Sequence, residues 1–109
     1  MAWLMRDGQV LATVEVAETL GARLRGLMGR PALEGALLVR PARSWHTLGT
    51  RFAVDVAYCD PELVVLSVVT LRPFRLGVPR LRAGSVLAAP AGAFERWGLR
   101  PGDQLEVKG

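Results

Sequence analysis

The stretch VDVAYCDPELVVLSVVTL, residues 54–71, decides the fold of this chain. It contains two apolar segments, residues 54–59 and 63–71, separated by Asp60-Pro61-Glu62. Both segments are rich in β-branched residues, which favour strands, and the proline between them cannot continue a hydrogen-bonded ladder. The stretch therefore predicts two consecutive strands that pair as a hairpin.

Alternation of side chains gives each predicted strand two distinct faces. In the first strand Asp55, Ala57 and Cys59 share one face, which is mixed polar, and the opposite face is apolar. The second strand is apolar on both faces, with Leu63, Val65, Val69 and Leu71 on one and Val64, Leu66 and Val68 on the other. Strands of this kind are typical of buried positions, so we expect residues 63–71 to form a central strand.

Further elements are predicted on both sides of this pair. Residues 3–6 and 10–16 flank Asp7-Gly8, a strong signal for a hairpin. Thr19 can begin a helix with leucines at i, i+4 and i+7, which Gly29 and Pro31 would end. A short turn and strand is expected at residues 33–39, and further strands at 85–89 and 104–107. Between them we expect a long loop at 72–84, a helical turn at 93–97 and a type II turn at Pro101-Gly102.

Length and composition fit one domain over residues 1–109, mainly β (α+β): a compact antiparallel β-sandwich or barrel with one or two short helices. The apolar runs are well short of the ~20 residues that cross a bilayer, and no basic leader with a long apolar run opens the chain. We therefore expect a cytoplasmic protein with no membrane partner. Cys59, the single cysteine, fits a reducing compartment and excludes a cysteine-rich zinc site.

The segment WHTLGTRFAVD, residues 45–55, concentrates the chemically capable side chains and holds the only histidine. His46, Thr50, Arg51 and Asp55 are our candidate ligand-binding residues, because together they could line a pocket for a small polar ligand. The alternative is structural, since an aspartate at the start of a strand commonly accepts backbone N–H bonds. His46 is likewise more often a hydrogen-bonded structural residue than a ligand.

Catalysis and metal binding find weaker support in the same segment. A nucleophilic set of Cys59, His46 and Asp55 needs thiol and imidazole at hydrogen-bond distance, whereas a free cysteine is more often a small buried hydrophobe. A metal site would combine His46 and Asp55 with Asp60 or Glu62, a set with no recognised spacing. We therefore expect no metal and no cofactor, and assign no catalytic residue. An enzyme of unknown reaction using His46 and Asp55 stays an open alternative.

Arginine supplies nearly all the positive charge: thirteen of the fourteen basic residues are arginines, against ten acidic residues, for a formal charge of +4. Arg72, Arg75, Arg80 and Arg82 lie in an acid-free loop, where Arg72 and Arg75 are candidate contacts for an anion because guanidinium holds phosphate or carboxylate in a two-pronged geometry. The loop has one aromatic residue, so nucleic acid would bind only weakly and in a salt-sensitive manner. A solvated surface is the alternative.

Four blocks of sequence together resemble the domain of unknown function 192 family over residues 14–107. They are RGLMGR at 25–30, HTLGTRFAVD at 46–55, VLAAPAG at 86–92 and GLRPGD at 98–103. The resemblance implies a mostly antiparallel sandwich or barrel, places Thr50 and Asp55 at characteristic polar positions, and brings no established activity. Ala88 stands where the family commonly has glutamate and Ala53 where it has proline, which weakens a catalytic interpretation.

These observations favour a small polar-ligand or protein-interaction module. Two alternatives stay open beside it: a nucleic-acid accessory protein that uses the arginine-rich loop, and the enzyme of unknown reaction. The sequence names no protein partner.

Overall fold

Seven strands form a single mixed sheet in the computed structural model, which describes residues 2–19, 32–47 and 50–109. Its elements are β1 (Ala2–Arg6), β2 (Gln9–Ala17), β3 (Ala36–Val39), β4 (Val54–Cys59), β5 (Val65–Leu71), β6 (Ser85–Pro90), α1 (Ala93–Trp97) and β7 (Glu106–Lys108). The helix predicted between Thr19 and Pro31 lies outside the described residues. Within the described ranges, no helix is long and apolar enough to cross a bilayer.

The sheet closes on itself. Its strand order is β5-β4-β6-β3-β2-β1-β7, and neighbouring strands are antiparallel except for the parallel pair of β2 and β3. The two ends meet because the Val65 N–H donates to the Asp103 carbonyl at 2.8 Å and the Leu105 N–H donates to the Leu63 carbonyl at 2.9 Å. The predicted mainly β fold is confirmed, and this closure makes it a barrel rather than a two-sheet sandwich.

The predicted first hairpin is present as β1 and β2, with Arg6 paired to Gln9. Asp7 and Gly8 both have positive φ, 53° and 77°. Two positive φ values in a two-residue loop define a type I′ turn, whose twist matches that of the flanking strands. Local chemistry therefore determines this hairpin, and the sequence predicted it correctly.

Side chains pack into two cores, one on each face of the sheet. The inner core is enclosed by the closed sheet and packs against α1. It contains Leu4, Val14, Ala36, Leu38, Ala57, Cys59, Val65, Leu87, Ala89, Ala93, Phe94, Leu99 and Leu105. The outer core lies under the loops on the other face and contains Ala17, Leu33, Leu37, Val39, Trp45, Val54, Val56, Tyr58, Ala83, Val86 and Ala88. The predicted alternation along β4 is confirmed, which puts Asp55 on the side of the inner core.

Strand β5 corrects the prediction that residues 63–71 form a central strand. It lies at one end of the strand order, and Val68 and Val69 are exposed, whereas β4 is buried throughout. A bulge also interrupts its pairing with β4, so that Val65 packs in the inner core and Leu71 against the outer core, not on one face. An apolar strand can be an edge strand, and alternation alone does not distinguish the two positions.

The elements after β5 lie close to the positions predicted from the sequence. Strand β6 and helix α1 occupy the predicted positions, and the last strand, β7, begins two residues later than expected. Gly102 has a φ of 95°, and the Asp103 N–H donates to the Arg100 carbonyl at 3.1 Å, as a type II turn at Pro101-Gly102 requires. This turn brings the chain from α1 back to the edge of β5.

Candidate functional site

A cleft of about 560 Å³ opens where the closure of the sheet ends. Residues 63–65 pair with residues 102–105, but beyond Val65 strand β5 continues along β4, whereas the chain preceding residue 102 forms α1 and its turn. Strand β5 and the segment formed by α1 and its turn therefore separate from each other, and the cleft lies between them. Its lining consists of Asp55, Val68, Val69, Thr70, Gly92, Phe94, Glu95, Gly98, Leu99 and Arg100.

Asp55 is the buried polar group at this cleft, and both of its carboxylate oxygens accept hydrogen bonds. Oδ1 accepts from the Thr70 hydroxyl at 2.6 Å. Oδ2 accepts from the backbone N–H groups of Gly92 at 2.9 Å and Phe94 at 3.1 Å. The carboxylate therefore ties β4 to β5 and to the start of α1, which fixes the relative position of the two walls.

The role of Asp55 in capping α1 explains why a carboxylate is needed there. Gly92 is the N-cap residue of α1 and has no side chain with which to accept the first backbone N–H groups. Asp55 supplies that acceptor from a neighbouring strand, and its negative charge suits the positive end of the helix dipole. The structural interpretation of Asp55 gains support, although the donors follow β6 rather than preceding β4.

Thr70 and Gly92 both donate hydrogen bonds to Asp55, and the sequence analysis did not single them out. Tertiary contacts bring them to this site. Thr70 is paired with Asp55 across the β4–β5 ladder, so alternation and register together would have indicated it. Gly92 is separated from Asp55 by 37 positions, and no local pattern links the two. Only the closed sheet places them in contact.

The walls of the cleft combine apolar surface with two charges. Val68, Phe94 and Leu99 supply apolar surface, while Glu95 and Arg100 are exposed at the helix and the turn that follows it. Neither charged side chain has an ion-pair partner in the described part of the chain. Both charges are thus available to a ligand that lies in the cleft.

The other five candidate residues do not line this cleft. His46 is exposed and forms an isolated antiparallel bridge with Leu76. Thr50 is buried, and its N–H donates to the Thr47 carbonyl at 3.0 Å. Arg51, Arg72 and Arg75 are exposed. A ligand role for these residues stays a prediction.

His46 and Asp55 lie on opposite sides of the sheet. Trp45, next to His46, packs in the outer core, whereas Asp55 is on the inner side together with Ala57 and Cys59. The structure therefore does not bring the imidazole and the carboxylate into one hollow. Across residues 2–19, 32–47 and 50–109, no three His, Cys, Asp or Glu side chains converge to hold a metal ion.

Thr47 is a third residue that the sequence analysis did not single out. It is fully buried, and its hydroxyl donates to the Arg72 carbonyl at 2.6 Å and accepts from the Arg75 N–H at 2.7 Å. Its own N–H donates to the Arg75 carbonyl at 2.7 Å, and its carbonyl accepts from the Phe74 N–H at 2.9 Å. Thr47 thereby attaches the arginine-rich loop to the outer core.

Cys59 is an inert thiol rather than a nucleophile. It is fully buried in the inner core, and burial raises its pKa to about 12, reinforced by the negative charge of Asp60 and partly offset by the Ser85 hydroxyl. Only the thiolate attacks an electrophile. At neutral pH this group is protonated and inaccessible.

We expect the stability of the protein to fall as the pH rises above 9.0, the ordinary pKa of the thiol, towards about 12. In that window the unfolded thiol is ionised while the folded thiol keeps its proton, so the folded state binds more protons. Each pH unit then lowers the free energy of unfolding by up to about 1.4 kcal/mol. Urea denaturation across this range measures the slope. The Cys59→Ala variant should show a shallower slope, and an unchanged slope in that variant would contradict the assignment.

In the described ranges the chain is a small domain of mainly β structure, with a closed sheet, one short helix and an open cleft where the closure ends. Residues 2–107 match the DUF192 family, described as uncharacterized ACR. The chain therefore belongs to the domain of unknown function 192 family, as its four sequence blocks indicated.

One relative matches most of this chain in sequence, and two solved structures share its fold. A UPF0127 protein of Pyrococcus furiosus is 29% identical over 103 residues, which cover 90% of this chain and 89% of that protein. A crystal structure of a protein of unknown function from Novosphingobium aromaticivorans has a TM-score of 0.79 at 22% identity, covering 96% of this chain and 82% of that one. A Sinorhizobium meliloti protein, provisionally named a transcription regulator, has a TM-score of 0.73 at 24% identity, covering 97% and 91%. At these identities the two structures establish the fold alone.

Proposed function

We propose that the protein is a non-catalytic binding module that takes an extended peptide segment in the cleft between β5 and α1. The observation that carries this proposal is that the open edge of a strand borders the cleft. Three consecutive residues, Val68, Val69 and Thr70, line it. Successive side chains of a strand point to opposite faces, so consecutive residues reach one cleft along the edge of the strand.

The edge of β5 has unused pairing capacity. Among the described residues its one strand neighbour is β4, and its outer backbone bonds to residues 102 and 103 involve Val65 alone. An exposed strand edge presents N–H and C=O groups that can pair with another extended chain. An added segment would continue the sheet from Val65 onwards, as in recognition by β-augmentation.

The walls of the cleft suit a peptide with alternating character. The apolar side chains of Val68, Phe94 and Leu99 can pack against every second residue of an added strand, while Arg100 and Glu95 offer one charge of each sign. The volume falls within the range of about 300–1,000 Å³ typical of ligand sites. A small polar ligand would use the charges but would leave the strand edge unpaired, which is why a peptide is favoured.

The chemistry of the site supports binding rather than catalysis. Asp55 engages both oxygens in hydrogen bonds within the protein, and Cys59 lies buried in the inner core. A general base needs a free lone pair within reach of the substrate proton, and a nucleophile needs to be accessible. The three hydrogen bonds occupy three of the about four lone-pair sites of the Asp55 carboxylate, and Cys59 is not accessible to a substrate.

The proposal is tested by selecting peptides of about eight random residues displayed on phage against the folded protein, since about that length spans a strand edge. We expect binders with apolar residues at alternate positions. Their dissociation constant should rise at least about tenfold in Val68→Lys, because the lysine occupies the cleft. Val10→Lys is the matched control, since Val10 is an exposed valine on the β1–β2 hairpin.

Hydrogen exchange gives the second measurement. A peptide bound by strand addition should slow exchange of those amides in residues 66–71 whose N–H groups point away from β4, because these enter the new ladder. Failure to select any binder, or binders that Val68→Lys does not weaken, would overturn the proposal. Binding that depends on Arg100 but leaves exchange in β5 unchanged would identify a small-ligand site instead.

A further inference from the structure

The loop formed by residues 72–82, called here the arginine loop, exposes large apolar side chains on the side of the outer core. Phe74 is 60% exposed, Leu76 73%, Val78 65% and Leu81 84%. Isolated apolar residues are ordinary on a protein surface, but four within eight positions are not. Exposure this high means that the side chains stand clear of the surface instead of lining a groove.

Positive charge alternates with these apolar side chains. The loop carries Arg72, Arg75, Arg80 and Arg82, and no acidic residue occurs between Glu62 and Glu95. Arg72, Arg75 and Arg82 are exposed and form no ion pair with the residues that the structure describes. The Arg80 guanidinium instead lies over the Tyr58 ring, with Cζ at 5.5 Å from the ring centroid. Three guanidinium groups are therefore available to an external anion.

Backbone hydrogen bonds hold the arginine loop in place. The Gly77 N–H donates to the Trp45 carbonyl at 2.7 Å, and the Arg80 N–H donates to the Arg43 carbonyl at 2.8 Å. Gly77 is required by close packing, since a Cβ there would lie 2.6 Å from both the Trp45 carbonyl oxygen and the Tyr58 hydroxyl. The apolar side chains are thus presented by a fixed backbone, which reduces the entropy lost on binding.

We propose that the arginine loop docks the protein on an anionic lipid surface. Exposed apolar side chains on a loop can enter the boundary between lipid headgroups and acyl chains, and arginines beside them can bind lipid phosphates in a two-pronged geometry. Clusters of basic residues beside apolar ones are typical of contacts with anionic leaflets. The alternation of the two kinds of side chain along one loop fits that boundary.

A nucleic-acid partner fits the arginine loop less well. Single-stranded nucleic acid is bound by aromatic side chains that stack on bases, and the loop offers Phe74 alone beside three aliphatic residues. Contact with phosphates would use the arginines but would leave Leu76, Val78 and Leu81 in water. An aliphatic surface gains more from acyl chains than from a sugar-phosphate backbone.

Docking of the arginine loop on a lipid surface differs from the sequence-based expectation that the protein has no membrane partner. That expectation concerned segments long enough to cross a bilayer. Surface contact depends on which side chains a loop leaves exposed, and this is decided by the tertiary structure. The arginine loop contains none of the residues that line the cleft beside β5, so the two proposals fail independently.

Flotation with lipid vesicles tests the inference with the full chain. We expect the protein to float with vesicles of phosphatidylcholine containing about one-third phosphatidylserine, to float much less with phosphatidylcholine alone, and to lose binding as salt rises. Arg75→Gln with Arg82→Gln should weaken binding about 25-fold, from about fivefold per arginine. Leu76→Ser with Leu81→Ser should weaken it about tenfold or more.

The matched control combines Lys108→Gln with Val10→Ser, which removes one charge and one exposed apolar side chain far from the arginine loop in sequence. It should float like the unmodified protein. All the substituted side chains are exposed, and circular dichroism checks that each variant is folded. Absence of flotation at low salt, or flotation that neither double variant reduces, would overturn the inference. So would binding of a single-stranded oligonucleotide without binding to either vesicle.

Discussion

Replacing Asp55 with alanine is expected to lower the free energy of unfolding by about 3–5 kcal/mol. The substitution leaves three donors without their acceptor: the Thr70 hydroxyl and the backbone N–H groups of Gly92 and Phe94. Each buried donor left unsatisfied costs about 1–3 kcal/mol, and α1 loses its cap. Thermal and urea denaturation, followed by circular dichroism, measure the loss.

Two comparison variants separate the hydrogen bonds from the negative charge. Asp55→Asn keeps one oxygen for the N–H groups of Gly92 and Phe94, and its amide can donate to the Thr70 hydroxyl, so we expect a smaller loss of about 1–2 kcal/mol. Glu106→Ala, an exposed acid on β7, should change stability by less than about 0.5 kcal/mol. If Asp55→Ala were as stable as the unmodified protein, the structural role would be refuted and a ligand role for Asp55 would regain support.

Replacing Thr47 with valine is expected to cost about 2–4 kcal/mol, because it preserves shape while it removes the hydroxyl that bonds the arginine loop. The Arg75 N–H would lose its acceptor and the Arg72 carbonyl its donor. Since the loop covers the outer core, where Trp45 is buried, the tryptophan should become more accessible. Urea denaturation gives the loss of stability, and hydrogen exchange at residues 74–77 should become faster.

Thr47→Ser is the matched control for this prediction. Serine keeps the hydroxyl and removes one methyl group, so hydrogen exchange at residues 74–77 should stay close to that of the unmodified protein. Stability should fall by about 1 kcal/mol through the small cavity that is left. Equal effects of serine and valine on hydrogen exchange would show that packing, and not the hydroxyl, attaches the arginine loop.

The two proposed binding surfaces occupy different sides of the molecule and use different kinds of interaction. The cleft lies on the inner side of β4, where the seam of the closed sheet divides, and it offers backbone pairing. The arginine loop lies over the outer core and offers charge and apolar side chains. A peptide that binds at β5 should therefore be insensitive to Arg75→Gln, and vesicle binding should be insensitive to Val68→Lys.

The elements that the sequence predicted well are those whose causes are local. Asp7-Gly8 adopts its turn because both residues tolerate positive φ, and residues 54–59 form a strand because their alternation fits a sheet with two buried faces. The helical turn at 93–97 and the type II turn after it follow from the same kind of signal. In each case the deciding residues are neighbours along the chain.

The features that only the tertiary structure decided involve contacts between residues that are distant in sequence. The place of β5 at an edge, the bulge that separates the faces of Val65 and Leu71, and the exposure of the arginine loop are not encoded in periodicity. The function of Asp55 is the clearest case, since the block that contains it marked it as important but could not name Gly92 and Phe94 as its donors. The closed sheet brings those groups together, because hydrogen-bonding capacity is a property of a residue whereas its satisfaction is a property of the fold.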